Sequence, residues 1–277
     1  HLLREQGVGG SNPLTPTILL KIPNIGILSY SRHISMVEGA MRKRLFRIAF
    51  TLLLLLSGGV ITSLIWLQVT GASAESLPPL KTGDILFQTS RSSQSFAIML
   101  ASESPLSHMG VLDMEAAGGA VVIEASATTR ETPLRNWIAK GFGGRLEVRR
   151  LKDLTPEDAR RVTAAARTHL GKPYDLFFRS SSDQLYCSEL VNDAFQDGIN
   201  RQLGAFQKVK SLAINNTAVR RVIRQRWQRH PDCANGKAAN FDACYAILME
   251  QSLVTPQSIA DDDDLTLVFS NYGLVPK

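Results

Sequence analysis

Cysteine is scarce in this chain of 277 residues, with three in all, and that excludes a disulfide-dense scaffold. Charged residues reach only 20% against 44% apolar. That is too apolar for a disordered chain and too charged for a polytopic membrane protein. Twelve prolines and twenty glycines fall without a period, which excludes collagen-like and low-complexity readings. There is no G-x-x-x-x-G-K-S/T phosphate loop, no H-E-x-x-H helix and no cysteine-rich metal cluster, so no cofactor or metal is expected. Most of the chain also lacks an excess of positive charge. The net charge is +6, but residues 1–74 hold seven lysines and arginines against two acids, while residues 75–277 hold 24 against 23. A nearly neutral body disfavours a nucleic-acid partner.

The basic excess marks an address. Residues 1–40 carry Pro13, Pro16 and Pro23 without sustained periodicity and read as unstructured, or as a start placed too far upstream. From Met41 the chain runs through Arg42, Lys43, Arg44 and Arg47 into 27 uncharged residues, Ile48 to Ala74. The small residues Ala72-Ser73-Ala74 follow, as in a secretory signal. The alternative is an uncleaved membrane anchor over residues 48–69, since roughly 20 apolar residues cross a bilayer. Either reading of segment 41–74 exports the body to the periplasm or the outer face of the membrane.

The body, residues 75–277, reads as α+β with a mainly antiparallel sheet. Gly83 to Phe87 is a turn and a buried strand. Ser107–Asp113 and Ala120–Ser126 form a hairpin around a small-residue loop. Thr155-Pro156-Glu157-Asp158 starts a helix that runs to about Leu170. Leu185 or Tyr186 opens another, with Leu190, Val191, Ala194 and Phe195 on one face. Residues 200–253 read as a helical, irregular insertion, and Leu265–Phe269 as a last strand.

Cys233 and Cys244 lie 11 apart in a polar loop and are the natural disulfide pair of an exported protein. That leaves Cys187 alone, either a core residue or a reactive thiol. Its place at a predicted helix start favours the thiolate, and the free N–H groups there can hold an oxyanion. Of the histidines, His169 ends a helix, where a cation complements the dipole, and His230 in an arginine-rich stretch reads as exposed. His108 lies on a strand. With the hairpin centred on Ala116 it faces Glu124, and opposed residues share one face of the sheet. A carboxylate among Val121, Val122, Ile123 and Ala125 is costly to bury unless paired. A structural His–Glu pair is the plain alternative, and a one-residue slip would part the two.

Gly171-Lys172-Pro173-Tyr174 followed by Tyr186-Cys187-Ser188-Glu189-Leu190-Val191 resembles the G-x-P-Y … C-S-x-L-V signature of NlpC-type cell-wall cysteine peptidases. Here Ser107-His108 and Ile123-Glu124-Ala125 precede the cysteine. That order, opened by Gly83-Asp84-Ile85-Leu86, resembles the circularly permuted branch, the YiiX/YebB-like papain-fold cysteine hydrolases. The resemblance covers roughly residues 80–200. It implies a permuted papain-like fold with Cys187 as nucleophile, His108 as base and then acid, and Glu124 as orienter. Tyr174, and Ser188 beside the nucleophile, would serve the oxyanion or the substrate. The implied activity is cleavage of amide or ester bonds through an acyl-enzyme, with peptidoglycan peptides as substrate. The alternatives are lipid or N-acyl substrates and a non-catalytic envelope binding module. Arg220, Arg221, Arg224, Arg226 and Arg229 read as a solvated helix face or a contact for anionic lipid head groups or cell-wall polymer, and Asp261–Asp264 as a solvated turn.

Overall fold

The computed structural model describes residues 45–46, 48–56 and 71–273, and the expectations for the rest of the head lie outside these. The described residues between 45 and 56 are helical (α1). Among the described residues no helix is long and apolar enough to cross a membrane.

The body is built on a six-stranded sheet in the order β4-β3-β2-β1-β5-β8. The strands are β1 (Ile85–Gln88), β2 (His108–Asp113), β3 (Val121–Ala125), β4 (Thr129–Pro133), β5 (Glu147–Leu151) and β8 (Leu265–Ser270), and each neighbouring pair is antiparallel. All residues of β1 and β2 are buried. Both faces of the sheet are therefore covered, which a run such as Ile85-Leu86-Phe87 permits. One face carries α4 (Pro156–Arg167) and α5 (Cys187–Ile199), over a core that includes Ile85, Phe87, Val111, Leu190 and Phe195. The other face packs α3 (Leu134–Lys140) and residues 72–80 on Leu86, Leu112, Trp137 and Val148.

Local chemistry fixes the helix ends. Thr155 Oγ1 accepts the Asp158 N–H at 3.1 Å, and Pro156 occupies the first turn of α4, as such a start requires. The helix ends at Arg167, three residues before Leu170. Where α5 crosses α4, a Cβ on Gly198 would lie 2.9 Å from the Arg161 carbonyl oxygen. Only glycine allows the two backbones this approach.

Beyond Asn200 come α6 (Thr217–Arg226) and α7 (Phe241–Met249), and Cys233 and Cys244 are bonded as expected. The antiparallel pair β6 (Gln207–Lys208) and β7 (Ser252–Leu253) closes the base of this insertion. Then α8 (Pro256–Ala260) leads to β8. Arg220, Arg221, Arg224 and Arg229 are exposed, as a solvated helix face requires, and two of them also lie over aromatic rings. The Arg224 guanidinium sits 3.9 Å above the Phe241 ring and that of Arg220 4.9 Å above Tyr245. Arg226 turns inward and donates to Gln94 Oε1 at 3.1 Å. His230 is also buried, 3% exposed, with its ring against the edge of Phe177. For His230, packing on an aromatic ring outweighs the charged neighbourhood. Asp261–Asp264 is more than a solvated turn, since Asp262 accepts the Gly204 N–H at 2.7 Å and the Lys152 ammonium reaches the Asp263 carbonyl at 2.6 Å.

Candidate active site

Three segments bring the expected residues together. Cys187 is the first residue of α5, buried in the core, and no side chain caps the helix there. The first N–H groups of α5 therefore have no partner within the helix. His108 opens β2 and Glu124 lies on β3. The register pairs Val111 with Ile123 and Asp113 with Val121, which centres the loop on Ala117 rather than Ala116. That correction moves the residue facing Glu124 from His108 to Gly110. A shift of two keeps His108 and Glu124 on one face as diagonal neighbours, within reach of long side chains. His108 Nε2 and Glu124 Oε2 are 2.6 Å apart. A side chain at position 110 would crowd this diagonal, because a Cβ there would lie 3.4 Å from the Glu124 Cβ and 2.6 Å from the Ile123 carbonyl oxygen.

Glu124 engages Nε2, and the Cys187 thiol lies near enough to the imidazole for the two charges to favour each other. The Tyr174 hydroxyl and the Met109 backbone N–H also lie near the sulfur and favour its negative charge. Burial pushes the thiol up, but these partners outweigh it and hold Cys187 below the ordinary thiol value. Burial pulls His108 down, and its neighbours Cys187 and Glu124 overcome that and raise it to about 9. Burial likewise opposes the ionised Glu124, yet His108, Thr132 and Lys140 bring it down to about 2. These shifts run in the direction of a thiolate–imidazolium pair with a carboxylate behind it.

The loop after α4 explains the G-x-P-Y-D element. The Tyr174 N–H bonds to the Ala127 carbonyl at 3.1 Å, and the buried Asp175 carboxylate accepts the N–H groups of Phe177 and Arg179 at 2.7 and 2.6 Å. The Tyr174–Ala127 bond holds this loop to the end of the strand carrying Glu124, and the bonds of Leu185 with Pro173 and Asp175, at 3.2 and 3.1 Å, hold it to the helix start carrying Cys187. Burial holds the Tyr174 hydroxyl well above its usual value, so it stays protonated and donates.

Two expectations need correction. The Ser188 hydroxyl donates to the Val254 carbonyl at 2.8 Å and is buried. Its side chain is thereby spent on holding the insertion, which leaves its backbone N–H as its only free donor. His169 lies beyond the last turn of α4 and is buried. Burial and then the Lys172 ammonium, 3.1 Å from Nδ1, lower it, so it is not the dipole-complementing cation. The sequence reading also missed the clamp on Glu124. Thr132 Oγ1 donates at 2.6 Å, Lys140 Nζ lies at 3.3 Å and Arg130 Nε at 3.4 Å. All three sit on β4 and α3, elements without a strong periodic signal.

Glu189, in the first turn of α5, is another buried acid. Burial and then the nearby Asp193 raise it to about 8. It is therefore largely protonated at neutral pH and does not cancel the positive end of the helix beneath Cys187. In the fold Glu189 titrates near 8 and in the unfolded chain near 4.5. Between those values the fold holds the extra proton, so stability falls as pH rises through that window. Glu189→Gln is expected to remove this loss and raise stability at pH 8 by about 2 kcal/mol, Asp193 sharing part of the effect. Urea melts at pH 5 and pH 8 check this, and an equal change at both pH values would contradict it.

A thiol at a helix start, near an imidazole that bonds a carboxylate on the sheet, is the arrangement expected of a papain-like cysteine hydrolase. Histidine and acid precede the cysteine, as in the permuted form. Residues 79–269 match the family described as permuted papain-like amidase enzyme, YaeF/YiiX, C92 family. The chain belongs to that family. It is 35% identical over 195 residues to the uncharacterized protein YiiX of Escherichia coli (strain K12), covering 70% of this chain and 88% of that protein. A crystal structure of yiiX from Escherichia coli O157:H7 superposes with a TM-score of 0.60 at 37% identity, over 69% of this chain and 97% of that one. That relative is described as a metalloprotein. Among the described residues here, no group of three or more His, Cys, Asp or Glu side chains gathers as a metal site.

Proposed function

We propose that this chain hydrolyses an amide or ester through a thioester on Cys187, with His108 moving the proton and Glu124 orienting the imidazole. The observation that carries the reading is the 2.6 Å bond from His108 to Glu124 with the Cys187 thiol near the same imidazole. The Cys187 thiolate attacks the carbonyl carbon and a C–S bond forms. The oxyanion meets the backbone N–H groups at the start of α5 and the Tyr174 hydroxyl. The C–N or C–O bond then breaks as the His108 imidazolium gives its proton to the leaving group. Water, deprotonated by His108, attacks the thioester, and the carboxylic acid leaves with the thiolate restored.

Export is part of the proposal, supported by the basic flank and uncharged run before the body. It places cell-wall peptides and acylated envelope molecules within reach.

The test is alkylation. Iodoacetamide is expected to modify Cys187 at neutral pH far faster than an ordinary thiol, and His108→Ala is expected to abolish that advantage. Labelling at the ordinary rate would favour the non-catalytic binding module. A pH series adds a second check. As pH rises through about 9 the imidazolium is lost, so amide hydrolysis is expected to fall there. Release of p-nitrophenolate, a leaving group that needs no proton, is expected to persist.

A further inference from the structure

The insertion at residues 200–253 divides the charge of the body. It holds nine lysines and arginines against three acids, while the rest of residues 75–277 holds 15 against 20. A body that is nearly neutral as a whole thus has one basic flank and an acidic remainder. The three acids of the insertion do not offset the arginines of α6. Asp232 pairs with Arg179 at 2.8 Å, and Glu250 pairs with Lys208 and Lys210. Asp242 sits in the first turn of α7, where an acid suits the helix dipole.

α6 has two unlike sides. At 3.6 residues per turn, Arg220, Arg221 and Arg224 share the exposed side, opposite Val219, Val222 and Ile223. The inner side packs on α2 (Ser93–Ser102), where Arg226 donates to Gln94. Arg229, in the turn that follows α6, is exposed too. Among the described residues, none of the four exposed guanidiniums is in an ion pair with an acid. Two of them are held in place, Arg224 over the Phe241 ring and Arg220 over that of Tyr245. Stacking occupies a flat side of the guanidinium and leaves the N–H donors at its edge, which bind phosphate oxygens in pairs. A side chain already held this way loses less freedom on binding.

We infer that the outer side of α6 docks on an anionic phospholipid surface, with its arginines on headgroup phosphates. A membrane fits the charge division better than a soluble anionic polymer does. The field of a charged surface acts over a whole plane and reaches about a Debye length, roughly 8 Å. It draws the basic flank and repels the acidic remainder, so it selects one orientation of the body. A thin polymer meets the basic side alone and leaves the acidic sides in solvent. The insertion also exposes Phe206 and Ile247, at 44% and 41%. A headgroup layer takes up such apolar surface and a polar polymer does not.

Docking bears on the active site. Arg226, on the inner side of α6, lines the same cleft as His108 and Tyr174. A helix is about 10 Å across, so the docked side brings that cleft to the edge of the headgroup layer. The inference holds whether or not Cys187 is a nucleophile.

Peptide-resolved hydrogen exchange on the full chain provides the test, with vesicles of phosphatidylcholine alone and of phosphatidylcholine mixed with phosphatidylglycerol. The head of the chain can recruit it to either vesicle without touching α6, so the α6 amides report docking of the body. Their exchange is expected to slow at least about fivefold on the anionic vesicles, the worth of one arginine near such a surface. No slowing is expected on the neutral ones. Salt at about 1 M, which cuts the Debye length to about 3 Å, is expected to abolish the difference. The combined variant Arg220→Gln, Arg221→Gln, Arg224→Gln is expected to lose the protection. Arg135→Gln, Arg160→Gln, Arg161→Gln removes the same charge from exposed arginines outside the insertion and is expected to keep it. Arg221→Gln alone leaves both stacked arginines in place and is expected to lose part of it. Equal exchange on the two vesicles in the unmodified protein overturns the inference, with no variant needed. Protection that survives in the folded α6 variant, or vanishes equally in the control, overturns α6 as its source. Protection by soluble polyphosphate and not by vesicles overturns the membrane and leaves a polymer as the partner.

Discussion

Cys187→Ala is expected to abolish hydrolysis while the protein still folds. In the proposed reaction the sulfur is the only protein atom that bonds to the substrate, and loss of the nucleophile from such a unit costs at least about 10^4-fold in turnover. The structural cost is small by comparison. Cys187 is 2% exposed and sits at the first position of α5, where alanine removes one atom and keeps the helix. His108 loses one of the partners that raise it and keeps Glu124, so the imidazole stays in place. Cys187→Ser separates nucleophilicity from shape. A hydroxyl is not ionised by a neighbouring imidazolium as a thiol is, so the serine variant is expected to be nearly as inactive. Product analysis by mass spectrometry, with trapping of the acyl-enzyme in the parent protein, provides the measurement. Turnover persisting in the alanine variant would remove Cys187 from the chemistry.

The parts of the site that could be read from the sequence share one property, a local pattern with a single physical reading. Cysteine counting in a chain with one plausible disulfide isolates Cys187. The alternation of strand side chains puts His108 and Glu124 on one face. The loop centre was misplaced by one residue, yet the pairing survived because that error moves the register by two, the period of the pleat. What stayed hidden lacks such a pattern. β4 reads Thr-Arg-Glu-Thr-Pro, a polar edge strand ending in proline, and α3 has only seven residues. β5 carries Arg149 and Arg150, whose charges are met by Glu147 and the buried Asp84. Those partners are 66 residues apart in one case, and no window of sequence shows them. The same limit explains His230 and Arg226. Both follow from how the insertion folds back on Phe177 and Gln94, which is a tertiary event.

Glu124→Gln tests the carboxylate behind the imidazole. The amide keeps the shape and one oxygen but loses the charge. His108 Nε2, Thr132 Oγ1, Lys140 Nζ and Arg130 Nε converge on Glu124 in the parent protein. Lys140 and Arg130 have side chains 45% and 43% exposed, so water takes over for them and the fold tolerates the change. His108 has no such recourse, with an 11% exposed side chain. Two consequences follow for it. The imidazolium loses the stabilisation that Glu124 gives, so its pKa drops below about 9. The amide nitrogen can also turn toward Nε2 and select the wrong tautomer, which in a comparable triad costs about 10^4-fold. Here the thiolate still supports the imidazolium from the other side, so the expected loss in kcat is smaller, about 10^2-fold, with KM little changed. The signature is the pH profile. The alkaline limb of amide hydrolysis should move to lower pH in Glu124→Gln and return toward its parent position in Glu124→Asp. A residue that only props up the sheet would lower activity at every pH and leave the limb where it was. An unmoved limb would therefore take Glu124 out of the proton path, even if the rate fell.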